Sequence, residues 1–122
     1  MASEGSHEPY ELITADAREL HRAIVSLMEE LEAIDWYQQR VDVSEDADLK
    51  AVLAHNRDEE IEHAMMTLEW IRRRSPKFDE HMRTYLFAEG PITEIEDAAT
   101  GGEAAAAPTP SNDGSLGIGS LK

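Results

Sequence analysis

The chain has 122 residues, no cysteine, and 26 acidic against 11 basic side chains, which give a formal net charge of −15 with histidine neutral. The length allows one small domain at most, and the absence of cysteine excludes a disulfide framework and thiolate catalysis. Such a negative field repels nucleic-acid phosphates and attracts cations, although solubility alone also accounts for an acidic surface. No apolar run approaches the roughly 20 residues that span a bilayer, and no signal segment opens the chain. We therefore expect a cytoplasmic protein with neither nucleic-acid nor membrane partners.

The first long helix is predicted from its apolar periodicity. Residues 1–8 are polar and glycine-bearing, which predicts a flexible N-terminus. From Pro9 or Asp16 to about Val41, apolar side chains recur every three or four positions, and no glycine or proline interrupts the helical stretch. These apolar positions are Leu20, Ile24, Leu27, Leu31 and Ile34.

A polar turn separates this helix from a second one. Residues 42–48 contain Ser44 and Asp46, either of which suits the N-cap of the next helix. The second periodic pattern runs from about Asp46 to Arg74 and ends in three arginines, which favour the negative end of the helix dipole.

A third helix is predicted to begin next, with Ser75 as its N-cap and Pro76 at its first position. This short third helix is predicted to end before Gly90. Residues 98–114 are small and polar with glycine and proline, and they are predicted to form a flexible linker to the last segment, residues 115–122.

The second helix carries ionisable side chains within its apolar face. On a helical wheel Glu60 and His63 fall inside that face, whereas Glu62 points away from it and Glu59 lies near its margin. Positions i and i+3 share a face, so Glu60 and His63 can reach one ion. The other members of the face are Leu49, Val52, Leu53, Ala64, Thr67, Trp70 and Ile71.

A buried carboxylate needs a partner, because its charged form is costly to remove from water. The first helix offers no inward arginine, but it places Glu30 at the border of its apolar stripe, with Tyr37 almost in line two turns later. A cation from solution is the favoured partner; hydrogen bonding with a purely structural role stays open. The spacing alone is weak, because Glu4 and His7 repeat it by chance in the flexible end.

One chain carries half of a di-iron site. Di-iron carboxylate bundles use two lone glutamates and two Glu-x-x-His pairs from four helices, whereas this chain has Glu30 once and the Glu60–His63 pair once. A two-fold axis completes the set. The fold prediction is therefore all-α, over residues 9–97: an antiparallel two-helix hairpin plus a short C-terminal helix, dimerising into a ferritin-like four-helix bundle.

The oxygen-rich ligand set suits iron or manganese better than a closed zinc site. It predicts a ferroxidase, an iron:oxygen oxidoreductase that binds two Fe(II) ions per dimer and releases Fe(III). A di-iron protein that removes peroxide or oxygen is an alternative, and so is a non-catalytic acidic helical adaptor. A haem-binding bundle is disfavoured, because one buried histidine among carboxylates does not supply a suitable pair of axial ligands.

Three stretches carry a family resemblance: HRAIVSLMEELEAIDWYQQR, AHNRDEEIEHAMMTLEWIRRR and HMRTYLFAEGPI. Over His7 to about Asp97 the chain resembles the encapsulated ferritins, the ferritin-like proteins carried inside encapsulin nanocompartments. The resemblance implies two-fold dimers with the di-iron centre at their interface and a ring of dimers, typically a decamer. It assigns Glu30, Glu60 and His63 as ferroxidase ligands and places Tyr37 beside them.

The resemblance also implies outer sites and a shell partner. Glu29, Glu32 and Trp36 match a cation site on the route to the centre, and His55, Glu59 and Glu62 resemble a further outer site, where calcium or other divalent cations could bind. The final stretch GSLGIGSLK resembles the peptide that binds the encapsulin shell protein, with Leu116, Ile118 and Leu121 as pocket-filling side chains. The expected location is the encapsulin lumen, in the cytoplasm.

Overall fold

The computed structural model describes residues 5–102, and every regular element in that range is helical. The described residues divide into two compact units between Arg74 and Ser75. The all-α prediction is confirmed, and a short fourth helix is added to it. In chain order the elements are a 3₁₀ turn Tyr10–Leu12, α1 Ala15–Val43, α2 Ala47–Arg74, α3 Pro76–Tyr85, α4 Ile92–Glu96 and a π-helical turn Asp97–Gly102.

Helix α1 begins where a side chain caps it. The Thr14 hydroxyl accepts a hydrogen bond from the Ala17 N–H at 3.1 Å, which satisfies one of the free donors of the first turn. Of the two predicted starting regions, the later one near Asp16 is therefore right, and Pro9 precedes only the 3₁₀ turn. With 29 residues, α1 is about 44 Å long.

The two residues predicted as alternative caps in the turn between the long helices cap different helices. Ser44 closes α1, because its N–H donates to the Arg40 carbonyl at 3.0 Å. Asp46 opens α2, because its carboxylate accepts the Leu49 N–H at 2.8 Å. A connection this short makes α1 and α2 an antiparallel hairpin.

The hairpin core is narrow. Among the described residues, only Val41, Ala64 and Ile71 are buried apolar side chains, and the last two are 0% exposed. A hydrogen bond of 2.8 Å from the Arg57 guanidinium to the Gln38 amide oxygen adds a polar link between the two helices.

The predicted apolar face of α2 is too broad. Leu53 is partly buried and Ala64 and Ile71 are fully buried, but Leu49 and Val52 are about half exposed. Leu31 of α1 also remains half exposed. A helix that packs against one neighbour buries only a stripe, so the rest of a wide apolar face stays open for a second neighbour.

The second unit begins with the predicted N-cap and first helical residue. The Ser75 hydroxyl accepts the Phe78 N–H at 3.4 Å, and Pro76 occupies the start of α3. Helix α3 ends at Tyr85, after which Phe87 and Gly90 have φ values of 63° and 91°. Such positive values turn the chain before α4.

The structure describes the first five residues of the predicted linker. Residues 98–102, assigned to it, continue as helix, and the Thr100 hydroxyl donates to the Glu96 carbonyl at 2.9 Å. Two alanines at 98 and 99 favour this continuation. Residues 103–122, with the rest of the linker and the predicted shell-binding segment, lie outside the described residues. Within residues 5–102, no helix has the length and apolar character needed to cross a bilayer.

Candidate metal centre

Glu60 and His63 are neighbours one turn apart on α2. The distance from His63 Nδ1 to Glu60 Oε1 is 3.6 Å, which is longer than a hydrogen bond. The Glu60 side chain is 29% exposed and that of His63 is 48% exposed. The predicted pairing is therefore present, but His63 lies at the open margin of the hairpin face rather than at its centre. The reason is again that, among the described residues, α2 packs mainly against α1.

Glu59 lies between two imidazoles. Its Oε1 is 3.9 Å from His63 Nε2, and its Oε2 is 3.8 Å from His55 Nε2. The helical wheel places Glu59 near the margin of the apolar face, and the family resemblance assigns it to an outer site. The i, i+4, i+8 spacing of His55, Glu59 and His63 could have predicted this row, because such positions follow one another along one side of a helix.

Glu30 on α1 has a buried carboxylate oxygen without a partner. In the part of the chain that the structure describes, no hydrogen-bond donor reaches its Oε1, although that atom has no access to solvent. A buried acceptor left unsatisfied costs about 1–3 kcal/mol, and more when it is charged. A cation from outside the described residues would give this oxygen the partner that it lacks.

Tyr37 lies farther along α1 and is partly buried. The Arg40 guanidinium carbon is 5.5 Å from its ring centroid, within the range of a cation–π contact. The ring is therefore positioned by a basic neighbour on its own helix.

The donor set fits a hard divalent cation. Two ligands that each lie about 2.1 Å from one ion are separated by about 3–3.5 Å, and the 3.6 Å between Glu60 and His63 is close to that spacing. Carboxylate oxygens with one imidazole are the donors that iron and manganese accept. Within residues 5–102 of one chain, however, no three histidine, aspartate or glutamate side chains lie close enough together to hold an ion.

The other predicted site residues lie at the surface. Glu29, Glu32 and Trp36 are exposed on α1, as an outer cation site requires, and Glu62 is exposed on α2. These assignments stay predictions, as do those of Leu116, Ile118 and Leu121.

Fold and site together define a class: an all-helical, ferritin-like hairpin with carboxylates and an imidazole on its long helices. A family model described as EncFtn-like matches residues 5–89. The chain belongs to this EncFtn-like family, and the resemblance to encapsulated ferritins is confirmed.

Three curated relatives show the same relationship. The encapsulated ferritin-like protein of Rhodospirillum rubrum is 62% identical over 127 positions, which cover 100% of this chain and 91% of the relative. The ferritin-like protein of Thermotoga maritima is 49% identical, with 94% and 96% covered. The encapsulin nanocompartment cargo protein EncC of Myxococcus xanthus is 34% identical, with 85% of each chain covered.

A solved structure has the same fold. The crystal structure of protein ne0167 from Nitrosomonas europaea superposes with a TM-score of 0.70 at 56% sequence identity, and it covers 73% of this chain and 98% of that chain.

Proposed function

We propose that this protein is a ferroxidase whose di-iron centre is completed across a two-fold interface. Each copy contributes the half-site, defined as Glu30, Glu60 and His63, and two copies supply six ligands for two ions. The observation that carries the proposal is the Oε1 of Glu30, which is buried and has no hydrogen-bond partner within residues 5–102. An iron ion bound there replaces the missing partner.

The exposed apolar surface supports the two-fold arrangement. Large apolar side chains on both long helices are about half exposed in the single chain, so the hairpin leaves apolar surface uncovered on more than one side. A two-fold axis can cover part of this surface with the same surface of a second copy. These side chains are Leu31, Leu49, Val52, Ile61, Met65 and Met66.

Iron is the substrate of this reaction. Two Fe(II) ions each give up one electron; an oxygen molecule with two protons accepts both electrons and becomes hydrogen peroxide, or hydrogen peroxide with two protons becomes two waters. Glu30 and Glu60 neutralise charge on the ions, and His63 adds a nitrogen ligand. Tyr37 lies beside the centre. Glu59, next to His63 Nε2, can hold the orientation of that imidazole.

The exposed acids of the long helices support a route for cations. Glu29, Glu32 and Trp36 form the proposed site on the way to the centre, and the excess of acidic side chains attracts divalent cations towards it. His55, Glu59 and Glu62 form the proposed outer site, for calcium or another divalent cation.

The proposal includes a location for this protein inside an encapsulin shell. One relative is an encapsulin nanocompartment cargo protein and another is an encapsulated ferritin-like protein. By analogy with these relatives, this chain acts inside an encapsulin shell as a ring of dimers. Residues 115–122 attach it to the shell protein. An open ring encloses no cavity, so Fe(III) mineral is stored by the shell.

The ferroxidase proposal is tested by Glu60→Gln, with Asp58→Asn as the matched control. Glu60→Gln removes the charge of a ligand and keeps its shape, so Fe(II) oxidation followed by absorbance should slow by at least tenfold, on the order expected when a metal site is disturbed. Asp58 is exposed and pairs with Arg57, so its neutral variant should keep the full rate. An unchanged rate in the Glu60→Gln, His63→Ala double variant would refute the assignment. A ferroxidase consumes Fe(II) continuously and accumulates Fe(III). A protein whose function is to remove peroxide, with only incidental iron turnover, does not.

The targeting proposal is tested by deleting residues 115–122. Ferroxidase activity should be unchanged, because the proposed ligands all lie before residue 64, and co-purification with the shell protein should fall to background. A replacement of Leu116, Ile118 and Leu121 by serine should have the same effect, since it removes the apolar side chains and keeps the chain length. Loading at the normal level in both variants would contradict the assignment.

A further inference from the structure

A cavity of about 300 Å³ lies at the start of the hairpin unit, away from the candidate metal centre. Its position on α1 is about 18 Å along the helix axis from Glu30, because Arg18 and Glu30 are twelve residues apart. The residues before α1 and the first two turns of α1 form its wall. The lining residues are Gly5, Ser6, His7, Tyr10, Ile13, Ala17, Arg18, His21 and Arg22.

The lining has the opposite charge character to the rest of the chain. It contains two arginines and two histidines and no aspartate or glutamate, whereas acidic side chains outnumber basic ones 26 to 11 in the whole sequence. Ile13 and Ala17 add apolar wall, which weakens the screening of charge by water. A cavity with this lining disfavours a cation and favours an anion.

Arg18 is held in place and keeps donors available. One of its terminal nitrogens donates to the Tyr10 carbonyl, and the guanidinium carbon lies 3.8 Å from the centroid of the Tyr10 ring. Its Nε is buried and has no hydrogen-bond partner among the described residues. The hydrogen bond and the ring contact fix the guanidinium, so little conformational entropy is lost when an acceptor reaches its remaining terminal N–H groups.

Arg22 is more exposed than Arg18 and only partly neutralised. Its Nη1 donates to Glu19 Oε2 at 2.7 Å, and Glu19 is not among the lining residues. An arginine has five N–H donors, so this single pair leaves donors for a ligand. His7 and His21 add ring nitrogens, and an imidazole has an N–H to donate in either protonation state.

We propose that this cavity binds a small oxyanion of the phosphate class. Guanidinium groups match the spacing of phosphate oxygens and bind them with paired, charge-assisted hydrogen bonds. The cavity has donors on four different side chains: Arg18, Arg22, His7 and His21. A phosphate dianion has oxygen acceptors in several directions and suits such a set, whereas the acceptors of a carboxylate lie in one plane. Salt at 0.1 M screens the acidic charges that lie beyond about 10 Å, and the nearby Glu19 is paired with Arg22. The site is independent of the proposed iron oxidation.

The test is calorimetric titration of the full-length chain, without iron, with inorganic phosphate at constant pH and about 0.1 M salt. One saturable site per chain is expected. Arg18→Gln should weaken binding by at least about tenfold and Arg22→Gln by a smaller factor, since a charge-assisted hydrogen bond is lost in each. Arg83→Gln is the matched control, because it removes the same charge from an exposed residue outside the cavity, and it should leave the affinity within about twofold.

Circular dichroism identifies a variant that fails to fold. If Arg18→Gln fails to fold, Arg22→Gln and His21→Gln decide, because the hydrogen bond and the ring contact to Tyr10 belong to Arg18. A wild-type chain without saturable phosphate binding up to about 10 mM, or an equal loss of affinity in Arg83→Gln, overturns the proposal. Acetate binding as tight as phosphate binding also overturns it, because the site would then be one for carboxylates.

Discussion

At the scale of single residues, Glu30 combines a functional assignment with a cost in stability. Its Oε1 is buried and has no hydrogen-bond donor among the described residues, which costs stability in the metal-free protein. Such residues are typical of sites where function is retained at the expense of stability.

We therefore predict that Glu30→Leu stabilises the metal-free protein by about 1 kcal/mol or more while it abolishes Fe(II) oxidation. The free energy of unfolding is measured by urea titration at one protein concentration. Glu29→Leu is the control: its exposed side chain should change the free energy by less than about 0.5 kcal/mol. A metal-free Glu30→Leu protein that is less stable than the wild type would show that the carboxylate has a partner, and would remove the main support for the metal centre.

At the scale of elements, the last turn of α2 is held by a compact charge cluster. Glu69 accepts two hydrogen bonds of 2.8 Å from Arg72 and one of 2.7 Å from Arg73. The hydrogen bonds from Arg72 and then Arg73 lower the pKa of Glu69 from 4.5 to about 2. Arg74 does not share this carboxylate; its guanidinium carbon lies 4.5 Å from the centroid of the Trp70 ring.

The lowered pKa of Glu69 predicts how this helix end responds to acid. A carboxylate with a pKa lower in the folded state stabilises that state above its ordinary pKa of 4.5, and this contribution is lost as the pH falls from about 4.5 to about 2. Glu69→Gln should therefore lower the melting temperature at neutral pH and reduce its fall between about pH 5 and pH 3. In the wild type, NMR titration of the side-chain carboxyl carbon should give a pKa near 2.

Glu62→Gln is the control for this effect. Glu62 is an exposed glutamate of the same helix with no basic residue three or four positions away. Its replacement should leave the pH dependence of the melting temperature close to that of the wild type. A measured Glu69 pKa near 4.5 would mean that the arginine cluster is not formed in solution.

At the scale of the whole molecule, the described residues form too small a core for a stable isolated hairpin. Only Val41, Ala64 and Ile71 are buried apolar residues in residues 5–102, while several large apolar side chains remain half exposed. Small domains bury too little surface to be stable unless another element covers them. A second copy is the proposed cover.

This proposal predicts a melting temperature that rises with protein concentration, because association stabilises the folded state by mass action. Light scattering across an Fe(II) titration should give at least twice the chain mass of 13.6 kDa and, at saturation, two iron ions per dimer. A species of single-chain mass with a concentration-independent melting temperature and full oxidation activity would contradict it.

The sequence by itself determined the features that depend on near neighbours in the chain. Helical periodicity, the cap at Ser75, and the one-turn spacing of Glu60 and His63 are local, because each side chain interacts within four residues of its own position. The stretches that resemble encapsulated ferritins then identified the family.

Only the tertiary structure decided which parts of each face are covered. Burial depends on the neighbouring helix: Ala64 is enclosed, whereas His63, the preceding residue, is half exposed. The same holds for the isolated oxygen of Glu30 and for the basic cavity around Arg18, which forms only when residues 5–13 lie against α1. A helical wheel gives the direction of a side chain, but the atoms that meet it come from elsewhere in the fold.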